Sequence, residues 1–295
     1  MLLLAFPEYE KQARNLADAL DLPCETVRIH RFPDGESLMR TPTELPRTVV
    51  LCRSLDRPNP KLTELLLLCG HLREKGVKRI LLVAPYLCYM RQDKAFHPGE
   101  VVSQRLFGRL LAAHVDGLLT VDAHLHRVHE LHRAVPVDAA VNLTATEPMS
   151  RFLEGRLENP LLVGPDEESR QWVAAIAARE ALEFVVARKK RRGDRSVEIR
   201  LPSFDFAGRD VVLVDDVAST GRTLEATAKL LDGRGVRSLS VLVTHALFVE
   251  DAVARLRKAG VSAIWSCDAV PHPSNRIELA PLLAEGLAPL LQPGP

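Results

Sequence analysis

No apolar run in this 295-residue chain approaches the ~18 residues that a membrane-crossing helix requires. A bilayer is therefore not an expected partner. The opening MLLLAFPEYEK has a short apolar stretch with no basic region ahead of it. It reads as a first β-strand and not as a signal peptide. Net charge is nearly absent: 39 Lys and Arg face 38 Asp and Glu, leaving +1. A field that weak excludes bulk attraction to nucleic acid or to an anionic membrane, so any anionic ligand must be held by local basic groups. There is no CxxC pair. The five cysteines, Cys24, Cys52, Cys69, Cys88 and Cys267, are scattered and mostly sit in apolar surroundings. They read as buried thiols in a reducing cytoplasm. Identical repeats and low-complexity tracts are also missing.

What is present is ordinary for a globular chain: 46% hydrophobic and 26% charged residues, with length enough for two domains. Short runs rich in Val, Ile and Leu alternate with longer amphipathic segments. The runs predict strands at Leu2–Phe6, Val27–His30, Thr48–Arg53, Arg79–Ala84, Gly117–Val121, Pro160–Gly164, Phe184–Ala187, Asp210–Val214, Ser238–Thr244 and Ala263–Cys267. Helical spacing predicts helices over Pro7–Leu20, Pro60–Lys75, Glu100–Ala113, Glu167–Ala181, Thr220–Arg234 and Phe248–Ala259. This alternation means βα units on mostly parallel sheets, an α/β fold. The pattern runs about twice, which places one domain at residues 1–142 and a second at 143–295.

The segment VVLVDDVASTGRTL, Val211–Leu224, carries the clearest chemistry. Val211–Val214 is an uninterrupted apolar run, as in a strand buried on both faces. Asp215 and Asp216 follow at its carboxyl end, the edge where open α/β sheets bind ligands. Then come Ser219, Thr220, Gly221, Arg222 and Thr223 at the start of a predicted helix. Small residues let backbone amides approach an anion, hydroxyls add donors, and the helix N-terminus adds partial positive charge. Two carboxylates would repel a phosphate, but they suit the hydroxyls at the other end of a sugar phosphate. Together the parts point to a pentose 5-phosphate.

That segment resembles the phosphoribosyl-binding motif of the phosphoribosyltransferase superfamily, which includes both the transferases that consume phosphoribosyl diphosphate and the synthetase that makes it. Other segments resemble the synthetase, ribose-phosphate diphosphokinase. RFPDGE, Arg31–Glu36, is similar to the loop with which that family reads adenine bound by a neighbouring subunit. The resemblance implies that Phe32 stacks on the base while Asp34 and Glu36 accept from its polar groups, and that the protein self-associates as at least a dimer. YMRQDK, Tyr89–Lys94, is similar to the family segment that holds ATP phosphates, with Arg91 and Gln92 in the binding positions. LLTVDAHLH, Leu118–His126, places His124 where the family organises the magnesium-nucleotide. VGPDEESRQWV, Val163–Val173, places Asp166 where it supports a second Mg²⁺ site. RKKRRGDRSVEI, Arg188–Ile199, matches the family's mobile catalytic loop, with Lys189 and Arg191 as its Lys-x-Arg pair. The DEES form of the fourth motif and the FHPGE insertion, Phe96–Glu100, point to a shorter-chain branch of the family.

The resemblance implies two tandem phosphoribosyltransferase-like domains, ATP motifs in the first and the ribose 5-phosphate loop in the second. It implies a Mg²⁺-dependent, cytoplasmic enzyme that transfers the diphosphoryl group of ATP to the 1-hydroxyl of ribose 5-phosphate, releasing AMP. Three rivals compete. A phosphoribosyltransferase would need a base-binding hood in place of RFPDGE and RQDK. A non-catalytic regulatory paralogue fits poorly with intact Lys189, Arg191, His124 and Asp166. A dinuclear metallohydrolase is suggested by His124, His126 and His129, but its usual Asp before the third His is Val128 here.

Overall fold

The computed structural model describes residues 1–125, 128, 130–192 and 196–292, and side chains throughout these except at 189–192 and 196–198. Among the described residues the chain forms two compact units, Met1–Thr144 with Leu279–Pro295, and Ala145–Glu278. Each is built on a six-stranded sheet.

In the first unit the sheet runs Cys24–Thr26, Leu2–Ala5, Thr48–Cys52, Arg79–Val83, Gly117–Val121, Ala139–Leu143. In the second it runs Glu183–Val186, Pro160–Gly164, Asp210–Ala218, Ser238–Ala246, Ala263–Cys267, Asn275–Ile277. Every neighbouring pair in both sheets is parallel. The order is the same in both: the second strand lies outside the first, and the chain then crosses back. Strand order therefore reverses between the first and third strands of each unit, the place where such sheets leave a ligand crevice at their carboxyl edge. Each unit also inserts an antiparallel hairpin after its second strand: Arg28–Arg31 with Ser37–Arg40 in the first, Arg188–Arg192 with Ser196–Arg200 in the second. The run of residues around Val27–His30, which the sequence predicts as a sheet strand, is instead one arm of that first hairpin.

The cores follow from the apolar runs. Leu3, Leu4, Val49–Leu51 and Leu82 in the first unit, and Leu161–Val163, Val211–Val214 and Val241–Val243 in the second, are fully buried. Each such side chain contributes ~1.5–3 kcal/mol relative to exposure. Helix Ala280–Leu291 belongs to the first unit although it follows the second in sequence. Gly286 makes this possible, because a Cβ there would lie 2.7 Å from Leu143 Cδ1. A similar close approach occurs at Gly108 in helix Ser103–Ala112, where a Cβ would overlap the Ala134 carbonyl oxygen. Backbone cannot step aside as a flexible side chain can. Gly108→Ala is expected to cost about 1–3 kcal/mol of stability, read as a lowered denaturant midpoint in equilibrium unfolding.

Candidate active site

Strand Asp210–Ala218 is longer than the apolar run predicts, and Asp215 and Asp216 lie inside it, not beyond it. Its pairing with Ser238–Ala246 continues to Ala218↔Ala246, whereas its pairing with Pro160–Gly164 stops at Leu213↔Val163. The last residues therefore project past one neighbour at the point where strand order reverses. Asp166 leaves the end of that shorter neighbour, and its charge reaches Asp215. Burial first, then the Asp216 and Asp166 carboxylates, push the Asp215 carboxyl well above the usual carboxylate range. Asp216 is buried, and its N–H donates to Asp215 Oδ1 at 3.1 Å.

The segment Ser219–Thr223 follows. The carbonyls of Ala218 and Ser219 accept from Phe248 and Val249 N–H at 2.8 and 3.1 Å, and the Thr220 carbonyl accepts from Arg255 Nη2 at 2.6 Å. Gly221 takes φ +66°, a left-handed value that lets the loop turn directly into helix Arg222–Leu231. With the carbonyls pinned outward, the N–H groups of Ser219, Thr220, Gly221, Arg222 and Thr223 find no acceptor among the described residues. Such a row of donors at a helix N-terminus is suited to a phosphate. Arg222 is exposed at the first helical position. Its charge is unfavourable to the helix dipole and favourable to a bound anion.

Asp166 has a local duty as well. Its Oδ1 accepts from Glu168 N–H at 3.1 Å and Ser169 N–H at 3.3 Å, and Ser169 Oγ donates back to the Asp166 carbonyl at 2.6 Å. This capping box starts the turn that leads into helix Arg170–Glu180. Asp166, Asp215 and Asp216 offer the type of oxygen donor that a hard divalent cation takes, and the repulsion acting on Asp215 is what a cation would relieve, but the three are not gathered around one point. No group of three or more His, Cys, Asp or Glu is arranged as a metal cage among the described residues.

In the first unit the residues expected to read the nucleotide fall on two separate segments. Phe32, Asp34 and Glu36 occupy the tip between Arg31 and Ser37, and all three are exposed. The tip is ordered by its own bonds: Phe32 N–H to Glu36 O at 2.8 Å, and Glu36 N–H to Asp34 Oδ1 at 3.1 Å. Phe32 meets the His30 ring edge-on at 4.8 Å. Arg91 and Gln92 follow Tyr89, which adopts φ +58° and hydrogen-bonds Asn59. Gln92 Nε2 donates to Glu100 Oε2 at 3.3 Å, and the same oxygen accepts from Phe96 N–H at 2.7 Å. The FHPGE insertion thus clamps this loop through Glu100. His124 lies two residues after Asp122, a non-glycine residue at φ +42°; such strain is commonest at functional sites.

Lys189 and Arg191 are on strand Arg188–Arg192, in register with Ile199 and Val197. Their backbone forms a paired hairpin arm where the family resemblance implies a loop. Their side chains lie outside the described residues, as do His126 and His129 altogether. Glu64 and Arg53, a buried ion pair beside the Arg28–Arg40 hairpin, have no counterpart in the sequence motifs. The one signal was a charge, Arg53, directly following the apolar strand Thr48–Cys52.

Two family profiles match the chain: the N-terminal domain of ribose phosphate pyrophosphokinase over residues 1–114, and the phosphoribosyl transferase domain over 147–272. A ribose-phosphate pyrophosphokinase of Methanopyrus kandleri is 36% identical over 97% of this chain and 98% of its own length. One from Methanothermobacter thermautotrophicus is 32% identical over 94% of this chain and 96% of its own. Among solved structures, phosphoribosylpyrophosphate synthetase from Mycobacterium smegmatis shares the fold, with a TM-score of 0.83 over 99% of both chains at 23% identity. With near full-length similarity to these curated relatives, the chain belongs to the ribose-phosphate pyrophosphokinase (diphosphokinase) family.

Proposed function

We propose that the protein transfers the intact diphosphoryl group of ATP to the 1-hydroxyl of ribose 5-phosphate, giving phosphoribosyl diphosphate and AMP. The observation that carries this reading is the carboxyl edge of strand Asp210–Ala218. It joins two mutually repelling carboxylates, half-buried Asp215 and buried Asp216, to a row of N–H donors at a helix start. Asp215 and Asp216 accept from ribose hydroxyls, and Ser219, Thr220, Gly221, Arg222 and Thr223 hold the 5-phosphate. Phe32, Asp34 and Glu36 read adenine bound by another copy of the chain, which makes the working protein at least a dimer. Arg91 and Gln92 hold the ATP phosphates.

The chemistry asks little covalent work of the protein. It must align the 1-hydroxyl with the β-phosphorus and offset charge on the transferred group. Lys189 and Arg191 supply positive charge at that group. His124 and Asp166 are the residues that would hold or steer Mg²⁺, which supplies charge neutralisation of the polyphosphate when bound. The reading includes a cytoplasmic location. It is supported by five cysteines that form no disulfide and by Cys69 and Cys88 thiols that burial pushes up to about 12, out of reach of ready oxidation. No described helix is long and apolar enough to cross a membrane.

Incubation with ATP, ribose 5-phosphate and Mg²⁺ is expected to release AMP and phosphoribosyl diphosphate in equal amounts. Stoichiometric ADP would show a simple kinase, and neither product across a divalent-metal screen would reject the reading.

A further inference from the structure

Behind the nucleotide hairpin lies a charge network that the proposed mechanism does not use. Glu64 stands on helix Pro58–Glu74 and is only 2% exposed. Its Oε1 accepts from Ser37 Oγ at 2.9 Å and from Arg31 Nε at 3.2 Å. Its Oε2 accepts from Arg53, which is 0% exposed. Arg53 is itself held on all sides: Nε donates to Glu8 Oε1 at 2.6 Å, Nη1 donates to the Lys61 carbonyl at 2.8 Å, and the guanidinium lies 3.9 Å over the Phe6 ring. Lys61 Nζ completes the group with Asp56 Oδ1 at 2.6 Å and the Ser54 carbonyl at 2.8 Å. Burial alone would raise the Glu64 pKa, but the bonds from Arg53, Ser37 and Arg31 outweigh it, and the carboxyl stays ionised to lower pH than usual.

The two residues that Glu64 Oε1 holds on the hairpin are not arbitrary. Arg31 and Ser37 are the last paired residues of its two arms, and Phe32–Glu36 is the loop they close. One carboxylate oxygen therefore pins both stems of the loop that carries Phe32, Asp34 and Glu36. The other oxygen ties that clamp to a rigid charge cluster at the carboxyl edge of the sheet. The tip has bonds of its own, but an isolated hairpin of this size is only marginally stable, so the orientation of the tip depends on what braces its stems. We infer that Glu64, backed by Arg53, is a positioning residue for nucleotide recognition: it sets the angle and rigidity of the Phe32–Glu36 loop without touching the nucleotide. This inference rests on the reading of that loop as the adenine reader.

The consequence is selective. Loosening the clamp weakens recognition of the base while ribose 5-phosphate binding and the transfer step keep their own residues. Glu64→Gln removes the charge and turns one acceptor into a donor. It is expected to raise KM for ATP about tenfold and to erode the preference for ATP over GTP, with kcat and KM for ribose 5-phosphate within about twofold. Glu64→Gln also leaves Arg53 without its buried counter-charge, which can prevent folding. Ser37→Ala therefore serves as the decisive second variant. It removes one of the two loop-side bonds, leaving that of Arg31, and should raise the ATP KM about two- to fivefold; Ser37→Thr, which keeps the hydroxyl, should restore it. Phe32→Ala is measured alongside. If Phe32→Ala raises the ATP KM but Ser37→Ala does not, the positioning role is overturned and the adenine reading stands. If Phe32→Ala also leaves it unchanged, the adenine reading fails and takes this inference with it. A uniform loss of kcat with unchanged KM values in Ser37→Ala would mark a purely structural role and equally overturn the inference.

Discussion

Asp215→Asn is expected to lower kcat/KM for ribose 5-phosphate on the order of 10²-fold and, at the same time, to raise the melting temperature. The two effects have one origin. Asp215 is pushed well above the usual carboxylate range by burial and by the charges of Asp216 and Asp166. An acid whose folded pKa lies above its unfolded value opposes folding when ionised. That penalty is absent below the unfolded pKa and is fully developed above the folded one. Asn removes the charge and keeps the shape, so the penalty goes, and a gain on the order of a few degrees follows. In its proposed role Asp215 is also a charged acceptor for a ribose hydroxyl, and losing such a charge-assisted bond would give the stated fall in kcat/KM. Steady-state kinetics and calorimetry on one preparation check both halves. A variant that loses activity and also melts lower would show that Asp215 serves the fold, not the substrate.

Lys189→Ala is the other large effect, and it falls on a different constant. If the Lys189 ammonium offsets charge on the diphosphoryl group mainly in the transition state, its removal lowers kcat roughly 10²–10³-fold. Ribose 5-phosphate binding should change little, because the proposed site for that substrate is the loop after strand Asp210–Ala218. Single-turnover kinetics separate the two: a slowed chemical step with an unchanged dissociation constant is expected. An unchanged turnover number would reject the role. Arg191→Ala should act in the same direction, since the two cations belong to one hairpin arm.

How much of this was legible beforehand depended on the range of the interaction involved. Buried parallel strands announce themselves as short Val, Ile and Leu runs, so Gly117–Val121, Pro160–Gly164 and Ala263–Cys267 are found with the predicted limits. Asp210–Ala218 was read four residues short because two carboxylates interrupt its hydrophobic pattern, although strand pairing continues past them. The half-buried strand Ala139–Leu143 and the helix Ala280–Leu291 lacked strong punctuation. The packing of that helix on the first unit is a long-range contact that sequence order cannot display. The site divides the same way. The proposed phosphate loop is local, and its residues Ser219–Thr223 are consecutive in the chain. The Glu64–Arg53–Ser37 clamp joins three segments far apart in sequence, and only the fold assembles it. The doubling of the strand pattern is legible in sequence, but the equivalent hairpin insertions are not, because their arms, Arg28–Arg31 with Ser37–Arg40 and Arg188–Arg192 with Ser196–Arg200, are unlike in sequence.

The central claim is that two phosphoryl groups move together. ATP labelled at its β-phosphorus, incubated with ribose 5-phosphate and Mg²⁺, follows that claim directly. The label is expected to leave the nucleotide and appear in a sugar diphosphate, with unlabelled AMP remaining. Label retained in ADP, with only γ-phosphoryl transferred, would contradict it.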